Sequence, residues 1–410
     1  MKILMINHFP LAGSGSGTYT KNLAVQLAKR GHDVTIVLPE NTTDFHAPDG
    51  VRLHPVYFTP EEGVPAVCPQ NALPFNFPCF TSHPRSTVTF ADLSPGEMEQ
   101  YVRAFSDAIR QEVETNRPDV IHGQHVWILS SLAAGLGVPL VLTAHGTDLI
   151  GYDAWPYLRS YAARAMGECS AVIAISKDNE QLVAERFPDE ADKIVRMRNG
   201  YDPGVFFTAD LTREEVLGPY GVEPAFYDGK RIVLFAGKLA YVKGVDILLE
   251  AVQRYEQEDP ANVTLIVGDG DVRADLEAQA KALDLKTVRF LGNVLQPALC
   301  RLYNIADVSV APSRSEGFGL VAVEAMACGV PVVASDVGGL PGIVNDAVGA
   351  LAVPEDPQSL ADAVLGVLRR EEEGSLPAWR KEIASYARTE YGQDTIIHEL
   401  EELYETAIRG

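Results

Sequence analysis

Basic residues are scarce in this 410-residue chain: 34 lysines and arginines face 56 aspartates and glutamates, for a formal net charge of −22. A nucleic-acid partner needs stripes of Lys and Arg along its phosphates, so this balance argues against that class. It also disfavours adsorption on anionic lipid. Cysteine is equally sparse. Cys68, Cys79, Cys169, Cys300 and Cys328 are odd in number and include no Cys-x-x-Cys pair. They read as reduced thiols of a cytosolic protein, with a Cys68–Cys79 bridge in one Pro-rich stretch as the lone alternative weighed. No apolar run approaches the roughly 18 residues of a membrane span. The opening Met1–Asn7 is too short for a signal sequence and reads as a first strand. The expected location is the cytoplasm.

What is present is ordinary globular composition, 46% hydrophobic and 22% charged. The length exceeds one compact core and predicts two domains of about 200 residues each. Short β-branched runs alternate with helical periodicity throughout. In the first half, strands are expected at Lys2–Ile6, Asp33–Val37, Arg52–Tyr57, Asp119–His122, Leu140–Thr143, Ala171–Ile175 and Ile194–Arg196. In the second, they are expected at Arg231–Ala236, Thr264–Val267, Val288–Leu291, Val308–Ala311 and Pro331–Ala334. Such alternation means a parallel sheet covered on both faces, twice over. Asn-Gly and Asp-Pro turn signals near 199–208 mark the division. Ligands of doubly wound sheets lie beyond the strands' carboxyl ends, so a cleft between two such domains is the expected site.

The richest segment runs from Ser313 to Asp336. Glu316 and Glu324 flank a Gly317-Phe318-Gly319-Leu320 turn that opens an apolar helix. A helix N-terminus leaves N–H groups unpaired and suits a phosphate, and the glycines admit a ligand to the backbone. Gly237–Gly244 follows a strand and carries Lys238 and Lys243, placed to neutralise two phosphates or, on the bland reading, simply solvated. His145, in Thr143-Ala-His-Gly-Thr-Asp148, ends another strand, with Asp148 expected to orient its ring. His122 and His125 are weak zinc candidates without a third ligand. Gly13-Ser-Gly-Ser-Gly17 fits neither the dinucleotide fingerprint nor a P-loop; it is a glycine wall for a ligand or a tight turn. Val267-Gly-Asp-Gly-Asp271 reads as a helix-capping turn ahead of a metal site. The long Thr59–Asp92 stretch, with Phe75, Phe77 and Phe80, is a candidate for acceptor recognition, for disorder or for surface packing.

Taken together, Glu316-x7-Glu324, Gly237-Lys238…Lys243-Gly244, His145-Gly-Thr-Asp148, Asn199-Gly-Tyr-Asp202 and the glycine-rich first loop resemble the retaining glycosyltransferases of family 4, with the GT-B fold. The resemblance spans nearly the whole chain, with its motifs in family order. It implies two Rossmann-like doubly wound parallel-sheet domains facing a central cleft: 1–203 for the acceptor, 204–384 for the nucleotide-sugar donor, and a last helix within 385–410 that crosses back. It implies that His145, Lys238, Lys243 and Glu316 are catalytic. Gly15, Gly17, Asn293, Val294, Gly317, Phe318, Gly319, Leu320 and Glu324 would hold the donor: Glu316 its sugar, Glu324 the ribose, the lysines the diphosphate. The family usually has Arg where Lys238 stands, so a single-point phosphate contact is expected. The implied reaction is metal-independent, front-face transfer of a hexose, with no cofactor beyond the donor itself. A UDP-sugar is favoured over GDP or ADP, and the acceptor is an unidentified small molecule, glycan or lipid. A nucleotide-sugar epimerase of the same fold and a non-catalytic nucleotide-sugar-binding protein are the alternatives.

Overall fold

The computed structural model describes residues 1–60, 71–81, 83–372 and 376–410. The chain divides into two compact units, Met1–Arg198 with Ile396–Gly410, and Asn199–Thr395. The boundaries expected at 203/204 and 384/385 thus move to 198/199 and 395/396. The reason is local: Tyr201 N donates to Tyr391 O at 3.0 Å and Tyr201 bridges to Gly392, fastening the linker to the end of the helix Leu376–Tyr391.

The first unit is built on seven strands: β1 Lys2–Asn7, β2 Asp33–Glu40, β3 Val51–Tyr57, β4 Val120–Gln124, β5 Leu140–Ala144, β6 Ala171–Ala174 and β7 Ile194–Arg196. They pair in parallel in the order β3-β2-β1-β4-β5-β6-β7. Alternate residues of β1 serve opposite faces, as the two-residue period of a strand requires. Ile3 and Met5 pack on Leu23 and Leu27 of the helix Gly15–Lys29, and on Ile396, Leu400 and Tyr404 of the helix Gln393–Arg409. Leu4 and Ile6 join the other layer, where the helix Pro95–Asn116 contributes Tyr101, Phe105 and Ile109. That helix opens with a Ser94/Glu97 capping box, which supplies partners for two N-terminal N–H groups.

Phe75, Phe77 and Phe80 are buried in this same layer beside Phe58, Phe90 and Tyr101. Within the described part of the Thr59–Asp92 stretch, Phe75, Phe77 and Phe80 thus belong to the core and not to surface packing. Cys68, and with it the bridge weighed above, lies outside the described residues. Cys79, Cys169, Cys300 and Cys328 are buried.

The second unit repeats the plan with β8 Arg231–Ala236, β9 Asn262–Val267, β10 Val288–Gly292, β11 Val308–Ala311, β12 Val332–Ser335 and β13 Gly349–Ala352. Its order is β10-β9-β8-β11-β12-β13, again all parallel. β13 was not expected from the sequence, because Gly-Ala-Leu-Ala contains no β-branched residue to mark it. In each sheet the order reverses once, between β1 and β4 and between β8 and β11. Such a switch point leaves room for a ligand beyond the carboxyl ends of the two strands that flank it.

Candidate functional site

In the second unit, the loops leaving β8 and β11 meet at the switch point. Gly244 shows why a glycine ends the first loop: its φ is +65°, and a Cβ there would stand 1.9 Å from Pro312 O. The two backbones touch, and one ion pair joins their side chains. Lys243 Nζ lies 2.7 Å from Glu316 Oε2, which Ser313 Oγ also approaches at 3.3 Å. Both partners are only partly exposed. Gly338 lets the loop after β12 press on the same segment, since a Cβ there would fall 1.9 Å from Glu316 O.

Arg314 locks this arrangement, and sequence reasoning missed it. Its guanidinium forks onto Asp246 at 2.8 and 2.6 Å, donates to Tyr241 O at 2.7 Å and stacks 3.9 Å over the Tyr241 ring. Its backbone N–H donates to Val242 O. The turn Tyr241–Lys243 is thereby fixed from two sides. The available signal was an arginine three residues past the end of β11, two positions before Glu316.

The helix Leu320–Ala327 starts at Gly319, whose φ of +105° no other residue type adopts readily, and no side chain caps it. Its first N–H groups are therefore open to an anion. Gly317 faces open space, whereas Phe318 is buried edge-on against Tyr391, so only the Phe318 backbone is available to a ligand. Leu320 is half-buried. Glu324 projects from the second turn, is 6% exposed, and makes no ion pair among the described residues. Burial pushes its carboxyl up to about 8. A buried, unpaired carboxyl costs stability unless something else requires it.

The remaining second-unit candidates make other contacts. Lys238 is exposed and pairs with Asp271 at 3.4 Å. Asp269 pairs with Arg273 at 3.0 Å and accepts from Gly270 N, so both acids of the 268–271 turn hold neighbours. Asn293 is exposed and Val294 half-buried beyond β10, the edge strand two removed from the switch point.

In the first unit, Gly15 and Gly17 lie in the first turn of the helix Gly15–Lys29, N-capped by Ser14. Gly15 faces open space. A Cβ on Gly17 would meet Pro10 O at 2.2 Å, so that glycine serves the loop's own packing. One turn on, the Tyr19 ring sits 5.1 Å from the ring of His145. His145 follows β5, and its Nε2 donates to Gln124 Oε1 at 2.9 Å. Gln124, not Asp148, orients the ring. Asp148 is fully buried and instead accepts the backbone N–H groups of Val126, His145 and Leu149, pinning two loops. Burial pushes the His145 imidazole down to about 3, which keeps it neutral at physiological pH.

His122 is a structural residue: it bonds Tyr404 Oη at 2.6 Å and Thr143 Oγ1 at 2.7 Å. His125 is different. Its φ is +94°, and neither buried ring nitrogen has a partner. Asn7 Oδ1, Gln124 Nε2 and Trp127 Nε1 are likewise buried without partners. Strain and unmet polar groups thus gather where β1 and β4 end, a concentration typical of working sites. No group of three potential metal ligands occurs among the described residues.

Two parallel sheets, each with a single switch point, define the class: the fold is GT-B, two Rossmann-like parallel-sheet domains. Residues 222–389 match the model of glycosyl transferases group 1, and residues 13–205 match that of glycosyltransferase family 4. The chain is 30% identical to an uncharacterised glycosyltransferase of Methanocaldococcus jannaschii, across 100% of this chain and 99% of that one. It is 31% identical to a D-inositol 3-phosphate glycosyltransferase of Saccharomonospora viridis, over 87% of this chain and 82% of the relative. Among solved structures, HepE of Anabaena in complex with UDP-glucose superposes with a TM-score of 0.71 at 20% identity, covering 99% and 100% of the two chains. The chain belongs to glycosyltransferase family 4.

Proposed function

We infer that this transferase moves a hexose from a nucleotide diphosphate sugar to an acceptor hydroxyl, with retention at the anomeric carbon. The observation that supports it most is the Lys243–Glu316 pair at the second unit's switch point, beside an uncapped helix N-terminus that carries Glu324. A diphosphate would take Lys243, Lys238 and the Gly317–Leu320 amides. Glu316, released from full pairing, would accept sugar hydroxyls, and Glu324 the ribose diol. These groups supply the positive charge that a divalent cation would otherwise bring to the leaving group. UDP is the favoured nucleotide carrier, in keeping with the UDP-glucose bound by HepE.

The step is a front-face displacement. The bond from the anomeric carbon to the phosphate oxygen breaks, and the acceptor oxygen bonds to the same face. The acceptor's proton passes to the departing phosphate. His145, neutral and held by Gln124, would contact the transferred sugar, and Gly15 would border the diphosphate. The test is UDP release from UDP-glucose in excess chelator, with product anomers read by NMR. An inverted product, or activity restored only by added Mg²⁺ or Mn²⁺, would overturn the reading, as would donor conversion without transfer.

A further inference from the structure

The carboxyl end of β2 opens into a pocket of about 460 Å³ formed wholly by the first unit, and none of the residues discussed so far explains it. Its floor is polar and rigid. Glu40 and Asn41 are 3% and 2% exposed. Glu40 holds the Arg85 guanidinium through two bonds, at 2.9 and 3.3 Å. Asn41 Nδ2 donates to Arg85 O at 2.9 Å and to Asn76 Oδ1 at 3.0 Å. Arg85 is thus gripped at both ends, and the segment carrying it is fixed to the strand. One wall is apolar, with Leu11, Phe45 and Pro48.

The charge balance selects the ligand. Glu40 and Arg85 cancel each other, and Lys21 and Asp44 bring one charge of each sign to the lining. Nothing there favours an ionic guest. Thr42, His46 and the quarter-exposed Arg85 guanidinium put polar groups on the lining beside that apolar wall, which suits a molecule with a hydroxyl-rich edge and a C–H face, and the volume lies in the usual range for small-molecule sites. We propose that this pocket binds a neutral carbohydrate of one or two sugar units, the acceptor or the acceptor's terminal residues. The role as acceptor site rests on the transferase reading above; the binding itself does not.

The test is saturation-transfer-difference NMR on the full chain with D-glucose, maltose, myo-inositol and glucose 6-phosphate as probes, alongside UDP. Two variants act on the pocket in opposite ways: Phe45→Ala strips the wall, and Thr42→Trp fills the space. Each should weaken maltose or glucose about tenfold or more, while UDP binding and the melting temperature stay unchanged. Glu316→Ala should leave sugar binding intact. Three outcomes overturn the proposal: sugar signals unaffected by both variants, glucose 6-phosphate preferred to glucose, or no sugar bound while UDP binds. Sugar binding lost in both variants with no UDP binding at all would instead sink the donor assignment and leave the pocket standing.

Discussion

Lys243 and Glu316 are 73 positions apart in sequence and 2.7 Å apart in space, joined where the loops of β8 and β11 cross the switch point. Each holds the other in place before any ligand arrives. In the proposed reaction a diphosphate would compete for the lysine and a sugar for the carboxylate, so the pair would serve as a preset polar lining rather than as a stability device.

Accordingly, Lys243→Ala and Glu316→Ala should each lower transfer by roughly 10²–10³-fold. The pair is partly exposed, so each change should cost only about 1 kcal/mol of stability. The double variant should lose little more rate than either single one, because the two groups work on one transition state. Steady-state rates and thermal melts on the three proteins check this. Wild-type rates in either single variant would remove these residues from the site.

Arg314 is a positioning residue, since it fixes the Tyr241–Lys243 turn without belonging to the ligand's expected surroundings. Arg314→Lys keeps the charge but loses the fork onto Asp246 and the stack on Tyr241. The expected result is a fall in kcat of about tenfold from the displaced lysine, together with about 2 kcal/mol of lost stability. Arg314→Ala should be worse on both counts. A stability loss with unchanged kcat would make Arg314 merely structural.

Most of the frame was legible because buried parallel strands are written as β-branched runs. The exceptions are instructive. β13 is Gly-Ala-Leu-Ala, and the helix Thr147–Ala154 is short and starts at a glycine with no capping side chain. Among the candidate site residues, Glu316, Lys243 and His145 stand out by type and by place after strands. Their partners do not. Nothing in the sequence ties Gln124 to the ring of His145, and Asp148, three residues from His145, looked the better choice. That acid is drawn instead to backbone N–H groups, whose lack of partners only the folded loops reveal.

The buried histidines predict acid lability. Burial pushes His8 and His122 down to about 3, whereas both would titrate near 6.5 once unfolded. Unfolding below pH 6.5 therefore takes up a proton at each, and stability falls as the pH drops toward 4. His145, held down to about 3, and His83, held down to about 4, act in the same sense, so the four groups together give a slope of about 5.4 kcal/mol per pH unit in the middle of that window. Asp148, pushed up to about 6, and Glu324, pushed up to about 8, work in the opposite sense, but as two groups. Urea unfolding at pH 7, 6 and 5 should show a falling midpoint, and His122→Gln should flatten it by one proton's worth. Equal slopes in the variant and the parent protein would mean that His122 is already charged in the fold.

Glu324 gives the reverse dependence, and its two readouts separate burial from function. The unfolded carboxyl ionises near 4.5, while in the fold burial raises it to about 8. Between those values the native state keeps a proton that the unfolded state has released, so stability falls as the pH rises, and the loss is complete above 8. Glu324→Gln removes the titration, so the variant should gain on the parent by roughly 3 kcal/mol between pH 4.5 and 7. If Glu324 accepts ribose hydroxyls as a carboxylate, UDP affinity of the parent protein should strengthen from pH 6 to 8. In the variant it should be weaker and nearly flat over that range. Calorimetric titration of UDP at three pH values distinguishes the cases. A stability gain with unchanged UDP binding would leave Glu324 a buried acid with no part in holding the donor.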